Sequence, residues 1–169
     1  PKVHKIVPPT RRGDDISSSE IRALLTDSKG NIWVAAKSRE LYRYSPDLKT
    51  CRRFPDGQSG DIGVIYAILE DDHGNIWLGT KGDGLIRMTP DGAGYSWKRF
   101  RRDGRNINSL SSDNIYSIEQ DHDGRIWIGT YGGSLSMLPH PDADEFVNVY
   151  NSFPDYPQEI GDRVRYLHC

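Results

Sequence analysis

Trp33, Trp77 and Trp127 stand 44 and 50 residues apart, and each sits inside the same frame of residues. An Asp lies six positions before the ring (Asp27, Asp71, Asp121), a Gly three before (Gly30, Gly74, Gly124), an Ile directly before it and a Leu eight after. An Ile opens each unit at 21, 65 and 115, and an aromatic residue, Phe54, Phe100 or Tyr150, is expected to close it. Self-similarity at such a period marks repeat architectures, whose units are each too small to bury their own faces and therefore stack.

No unit has helical periodicity. Short β-rich runs alternate with Gly, Pro, Asp and Asn clusters, which predicts four strands per unit; in the second unit these are 65–70, 75–80, 84–89 and 95–100. Between the first two strands stands D-x-x-G. Its Asp suits the first position of a type I turn, where the carboxylate accepts nearby backbone N–H groups, and its Gly supplies a positive φ. The Ile-Trp-apolar run that follows predicts a strand buried on both faces, with the Trp wedged between neighbouring units.

Four-stranded antiparallel units of this size stack radially as β-propeller blades. The expected fold is all-β, an incomplete propeller arc with blades at 16–54, 60–100 and 110–150. Residues 1–10 are read as the last strand of a preceding blade, because Ile6 precedes Ile21 by the same 15 residues that separate Phe100 from Ile115. Residues 160–169 are read as the first strand of a following blade, with Val164 at the opening-Ile position. Propellers close with about 4 to 8 blades, and the chain does not start with Met, so a larger parent protein is expected, and the remaining blades are expected partners.

Charge narrows the function classes. Lys and Arg number 22 against 24 Asp and Glu, so no overall field recruits nucleic acid or an anionic membrane. No apolar run approaches the roughly 20 residues of a membrane helix, and no signal-peptide pattern opens the chain. Cys51 and Cys169 lack metal-ligand spacing and are expected as unpaired thiols. The five His residues are scattered, and neither a catalytic residue, a metal nor a cofactor is expected.

Several motifs have a plainer structural reading beside the functional one. Asp72 to Trp77 spells the D-x-G-x-x-W core of an Asp-box, itself a turn motif. Asp121 to Gly124 lacks the ligand ladder of a calcium loop. The 79–84 stretch GTKGDG has no following helix to present amides to phosphate. Arg52, Arg53, Lys98, Arg99, Arg101, Arg102 and Arg105 fall on fourth strands or just after them, where cations discourage edge pairing.

EDDHGNIWLGTKGDGLIRM (70–88) and QDHDGRIWIGTYGGSLSML (120–138), with the lead-in NSLSSDNI at 108–115, resemble the two-component regulator propeller repeat. The first unit departs from it, with Ala35 and Ala36 in place of Gly-Thr and Glu40 where Gly84 stands, so a remodelled loop is expected there. The resemblance implies the periplasmic sensor region of a bacterial hybrid two-component histidine kinase, recognising a carbohydrate breakdown product and regulating polysaccharide use. The kinase and its phosphorelay would lie elsewhere in the parent chain.

Loops joining second to third strands, and fourth to first, should emerge on one face, with the D-x-x-G turns on the other. Ligand contacts are therefore expected from Lys37, Arg39, Lys81, Asp83 and Tyr131 in the former loops and from Arg102, Arg105, Asn106 and Asn108 in the latter. An aromatic face with hydrogen-bonding neighbours suits an oligosaccharide. The alternatives are a structural arc making homodimer or interdomain contacts, and a propeller lyase or glycosidase.

Overall fold

The computed structural model describes residues 20–55, 60–151, 164, 165, 167 and 168. The expected strand at 1–10 and Cys169 lie outside them, as does most of the expected strand at 160–169. The described residues form three four-stranded antiparallel sheets and no helix. The first holds β1 (Ile21–Thr26), β2 (Ile32–Ala36), β3 (Glu40–Tyr44) and β4 (Cys51–Phe54). The second holds β5 (Ile65–Glu70), β6 (Ile76–Thr80), β7 (Leu85–Asp91) and β8 (Gly94–Phe100). The third holds β9 (Ile115–Gln120), β10 (Ile126–Thr130), β11 (Leu135–Leu138) and β12 (Val147–Asn148). Strands pair in chain order within each sheet, and β1 lies against β5 and β5 against β9, so the first strands line the inner, concave edge of an open arc.

The D-x-x-G step builds one device three times. Asp27 accepts the backbone N–H groups of Lys29 (3.1 Å) and Asn31 (2.8 Å), the Asn31 amide and, at 2.9 Å, the indole N–H of Trp33. Asp71 holds Trp77 at 2.7 Å, and Asp121 holds Trp127 at 2.7 Å. Gly30, Gly74 and Gly124 close the turns at φ of 78°, 79° and 80°, each donating its N–H to the carbonyl of its own Asp. A turn residue thus fixes the rotamer of a ring six positions on. Burial pushes the Asp27 carboxyl up, but the bonds from Asn31, Trp33 and the backbone outweigh it and hold it below the usual carboxylate range.

The two larger apolar cores lie between blades, and a third cluster, Val34, Ala36, Tyr42 and Tyr44, belongs to the first blade alone. Trp33 (0% exposed) stacks on Phe54 at 5.9 Å and meets Tyr95 of the next blade edge-on at 5.7 Å. With Ala35 and Leu41 it packs against Ile62, Ile65, Ile76 and Leu78. Trp77 and Phe100 repeat this against Ile115, Ile118, Ile126 and Ile128. Arg43 and Arg87 on the third strands cap the two indoles at 5.7 and 5.5 Å.

Each seam is also closed by polar hooks at the turn end. The Glu70 carboxylate accepts from the Ser28 N–H and from its hydroxyl at 2.8 Å. Gln120 accepts the Asp72 N–H at 2.8 Å and donates to its carboxylate at 2.7 Å.

Two expectations are revised by the third blade. Tyr150 does not close it: the ring is 51% exposed, while Phe146, at 3%, packs edge-on against Phe100 at 5.4 Å. The fourth strand is only two residues long. Pro139, which lacks a ladder donor, directly follows β11. Asn148 then turns the chain outward by accepting the Tyr150 N–H at 2.8 Å, while its amide ties down the carbonyls of Ile107 and Ser109.

Candidate functional site

The structure divides the nine named residues among five environments. Arg39 and Asp83 join blades. Arg39 bonds Asp61 at 2.6 Å and Asp83 at 3.2 Å, Arg101 bonds Asp83 at 3.3 Å, and Arg99 donates to the carbonyls of Asp83 and Asp61. The bond from the Gly63 N–H, and then Arg39, hold the Asp61 carboxyl below its usual range. The basic residues of the fourth strands are similarly occupied: Arg53 pairs with Glu40, Arg52 reaches the Ala93 carbonyl at 3.2 Å, and Lys98 meets Asp144 at 2.5 Å.

The remodelled first loop follows from its sequence. In the second and third blades, Thr80 and Thr130 donate hydroxyl bonds of 2.6 and 2.8 Å across the loop to the Gly84 and Ser134 carbonyls. Those loops place two residues each at positive φ: Gly82 and Gly84, and Gly132 and Ser134. Ala36 has no hydroxyl to brace with, and the first loop has one such residue, Arg39 at 64°.

Lys37, Lys81 and Tyr131 stand at the concave edge. Lys37 pairs with Glu20 at 3.1 Å, and Glu20 also takes Arg22 at 2.9 Å. Tyr131, 38% exposed, meets Tyr116 at 6.1 Å, Tyr116 meets Tyr66 at 5.2 Å, and Arg22 lies 5.7 Å over the Tyr66 ring. Arg22, Tyr66 and Tyr116 are the second residues of β1, β5 and β9, so one aromatic ladder crosses all three inner strands. Sequence reasoning missed it because these positions flank the opening Ile and vary between copies. Their signal was a polar or aromatic residue at the same offset in each innermost strand.

The last four residues lie elsewhere. Arg102 and Asn106 line a cavity beside the outermost strand of the third blade, Asn108 lines a separate shallow one with Phe146 and Asn151, and Arg105 is exposed. Among the described residues no group of His, Cys, Asp and Glu could hold a metal, Cys51 is in no disulfide, and no helix is long and apolar enough to cross a membrane.

The repeated lock of turn, indole and inter-blade seam agrees with comparison to known sequences. The family model of the two component regulator propeller matches residues 15–38, 59–82 and 109–132. The three blades are two-component regulator propeller repeats. Each matched segment ends within or just after the loop that follows the second strand, so the repeat carries the turn and the tryptophan, whereas the fourth strands lie beyond it. The comparison with curated proteins returned no match.

Among solved structures, the propeller repeats resemble the extracellular domain described as that of the hybrid two component system BT3049 from B. thetaiotaomicron. It is 28% identical, with a TM-score of 0.57 over 73% of this chain and 16% of that one. The extracellular domain of BT4673 from the same organism is 25% identical, with a TM-score of 0.62 over 78% and 16%. The chain therefore spans about a sixth of the length of these relatives. Virginiamycin B lyase from Staphylococcus aureus, at 17% identity and a TM-score of 0.56 over 82% and 43%, shares the fold alone.

Proposed function

We propose that this arc belongs to the ligand-sensing propeller of a periplasmic two-component receptor and that its ligand is an oligosaccharide. The observation carrying the reading is the ladder Arg22, Tyr66, Tyr116 and Tyr131 at the concave edge, a run of aromatic faces with polar edges of the kind that stacks on sugars. Lys81, exposed at the same edge, adds donors for hydroxyl or carboxylate groups. The likeness to extracellular domains of hybrid two component systems supports a sensor, with histidine kinase and phosphorelay steps elsewhere in the parent chain. In this reading the arc binds and does not transform its ligand.

Calorimetry of the receptor's extracellular region against an oligosaccharide panel tests this. Tyr116→Ala and Tyr131→Ala are each expected to weaken binding about threefold to tenfold, the size of one lost aromatic contact, while Arg105→Ala leaves it unchanged. Product formation from a bound oligosaccharide would establish an enzyme instead. A structural arc making dimer or interdomain contacts is the second reading, favoured by the commitment of Arg39 and Asp83 to the blade seam. Unchanged affinity in both tyrosine variants would select it.

A further inference from the structure

The loop between β8 and β9 holds its shape without help from the concave edge. The Asp103 N–H donates to the Ser109 hydroxyl at 2.9 Å, the Asn106 N–H to the Asp103 carbonyl at 3.0 Å, and the Ser109 N–H to the Asn106 carbonyl at 3.1 Å. Asn148 clamps it from below through the Ile107 and Ser109 carbonyls at 3.0 and 2.8 Å. Between this loop and the end of the third blade lies a cavity of about 170 Å³. Because its wall includes Asn148 of the outermost strand, it opens on the outer rim, away from the inner strands that carry the ladder.

Its lining has a definite chemistry. Tyr150 and Ile107 are 51% and 62% exposed, large apolar groups left to water beside a concave surface. The Arg102 guanidinium lies 5.8 Å over the Tyr150 ring and has no carboxylate partner among the described residues. Asn106 accepts the Asn108 N–H through its oxygen, which leaves its amide nitrogen to donate. The Asp103 carboxylate is turned to the Arg105 N–H at 2.9 Å. Donors and a ring face thus converge in a lining whose one carboxylate, Asp103, is engaged by the Arg105 N–H.

We propose that this cavity is a second binding site, independent of the ladder, for a single acidic sugar ring. Its carboxylate would meet the Arg102 fork and its ring face would lie against Tyr150 and Ile107. The volume sets the size, since pockets for drug-sized ligands run to roughly 300–1,000 Å³. One ring fits; a chain of them does not. The internally bonded loop holds the site ready, so little ordering opposes binding.

The test is titration of the isotopically labelled protein with glucuronate, glucose and acetate, following the amide signals of Gly104, Ile107 and Tyr150. Glucuronate is expected to shift them saturably, with glucose and acetate far weaker. Arg102→Gln should weaken glucuronate at least about tenfold, the scale of a lost charge-assisted bond, and Tyr150→Leu should weaken it severalfold. Both side chains are exposed, so the thermal midpoints should stay at the wild-type value, and Tyr116→Ala, which weakens ladder binding, should leave glucuronate affinity intact. The proposal fails if acetate or glucose matches glucuronate, if Arg102→Gln binds as wild type, or if no shift occurs. It fails equally if the same signals move with protein concentration alone, which would make the rim a contact between copies.

Discussion

At the scale of single residues, the Asp–Trp lock is the point on which each blade turns. Trp77 is fully buried and its indole N–H reaches the Asp71 carboxylate at 2.7 Å, so two substitutions separate shape from polarity. Trp77→Ala should cost about 3–5 kcal/mol through the cavity. Trp77→Phe keeps a ring but leaves Asp71 one bond short, an expected loss of about 1–3 kcal/mol in urea unfolding. Acid acts on the same lock. Asp27 and Asp121 both titrate below the usual range: burial opposes this in each, and the indole, the residue four positions on and the turn amides outweigh it. Their folded values lie below the unfolded ones, so the stability they contribute is complete above about pH 4 and is lost as pH falls through the depressed values. Asp27→Asn should flatten this acid limb in a pH series of unfolding midpoints while lowering stability at pH 7.

At the scale of strands and turns, the second-strand glycine is closely packed. A Cβ on Gly79 would come within 2.5 Å of the Ile115 side chain, and one on Gly129 within 2.9 Å of Val164. Gly79→Ala should therefore cost about 1–3 kcal/mol by overpacking. Combining it with Ile115→Ala, which removes the crowding Cγ2 methyl, should cost less than the sum of the two single losses, a coupling that a double-mutant cycle of unfolding free energies would register. Ala35 already fills the same position in the first blade, fully buried in a core shared with Ile65, so the position takes a methyl where its neighbour yields. This scale also marks how far the sequence was legible. Strand limits in the second blade were predicted to within two residues because turn, wedge and opening Ile repeat three times. The short β12 was not, because Phe146 and Tyr150 both offer an aromatic near the unit's end and only the bond from Tyr150 to Asn148 decides which faces water. The partners of Arg39 and Asp83 were not legible, because they come from Asp61, Arg99 and Arg101, distant or unaligned residues that no repeat frame connects.

At the scale of the whole molecule, the two larger cores are shared between blades. Ile62, fully buried, stands just before the second blade yet packs in the cluster of Trp33 and Phe54 from the first. Ile62→Ala should cost about 2–5 kcal/mol, and fluorescence and circular dichroism should report one shifted transition, since loosening one seam removes support from both its blades. The charged network at the same seam is half exposed at Arg39 and Asp61 and contributes much less. Arg39→Ala is expected to change stability by under about 1 kcal/mol, less still at high salt. The arc is held by buried rings and aligned by its charges.

The glycine notch has a further consequence for symmetry. One side of a blade offers the hollow over Gly79 or Gly129, and the side that enters it offers a β-branched knob, Ile115 or Val164. These are opposite surfaces, so association that seats a knob in a hollow is heterologous: copies joined that way must close into a ring or run on as a filament. A two-fold symmetric pair cannot be built from them, and an isologous dimer of this chain would have to draw on another surface.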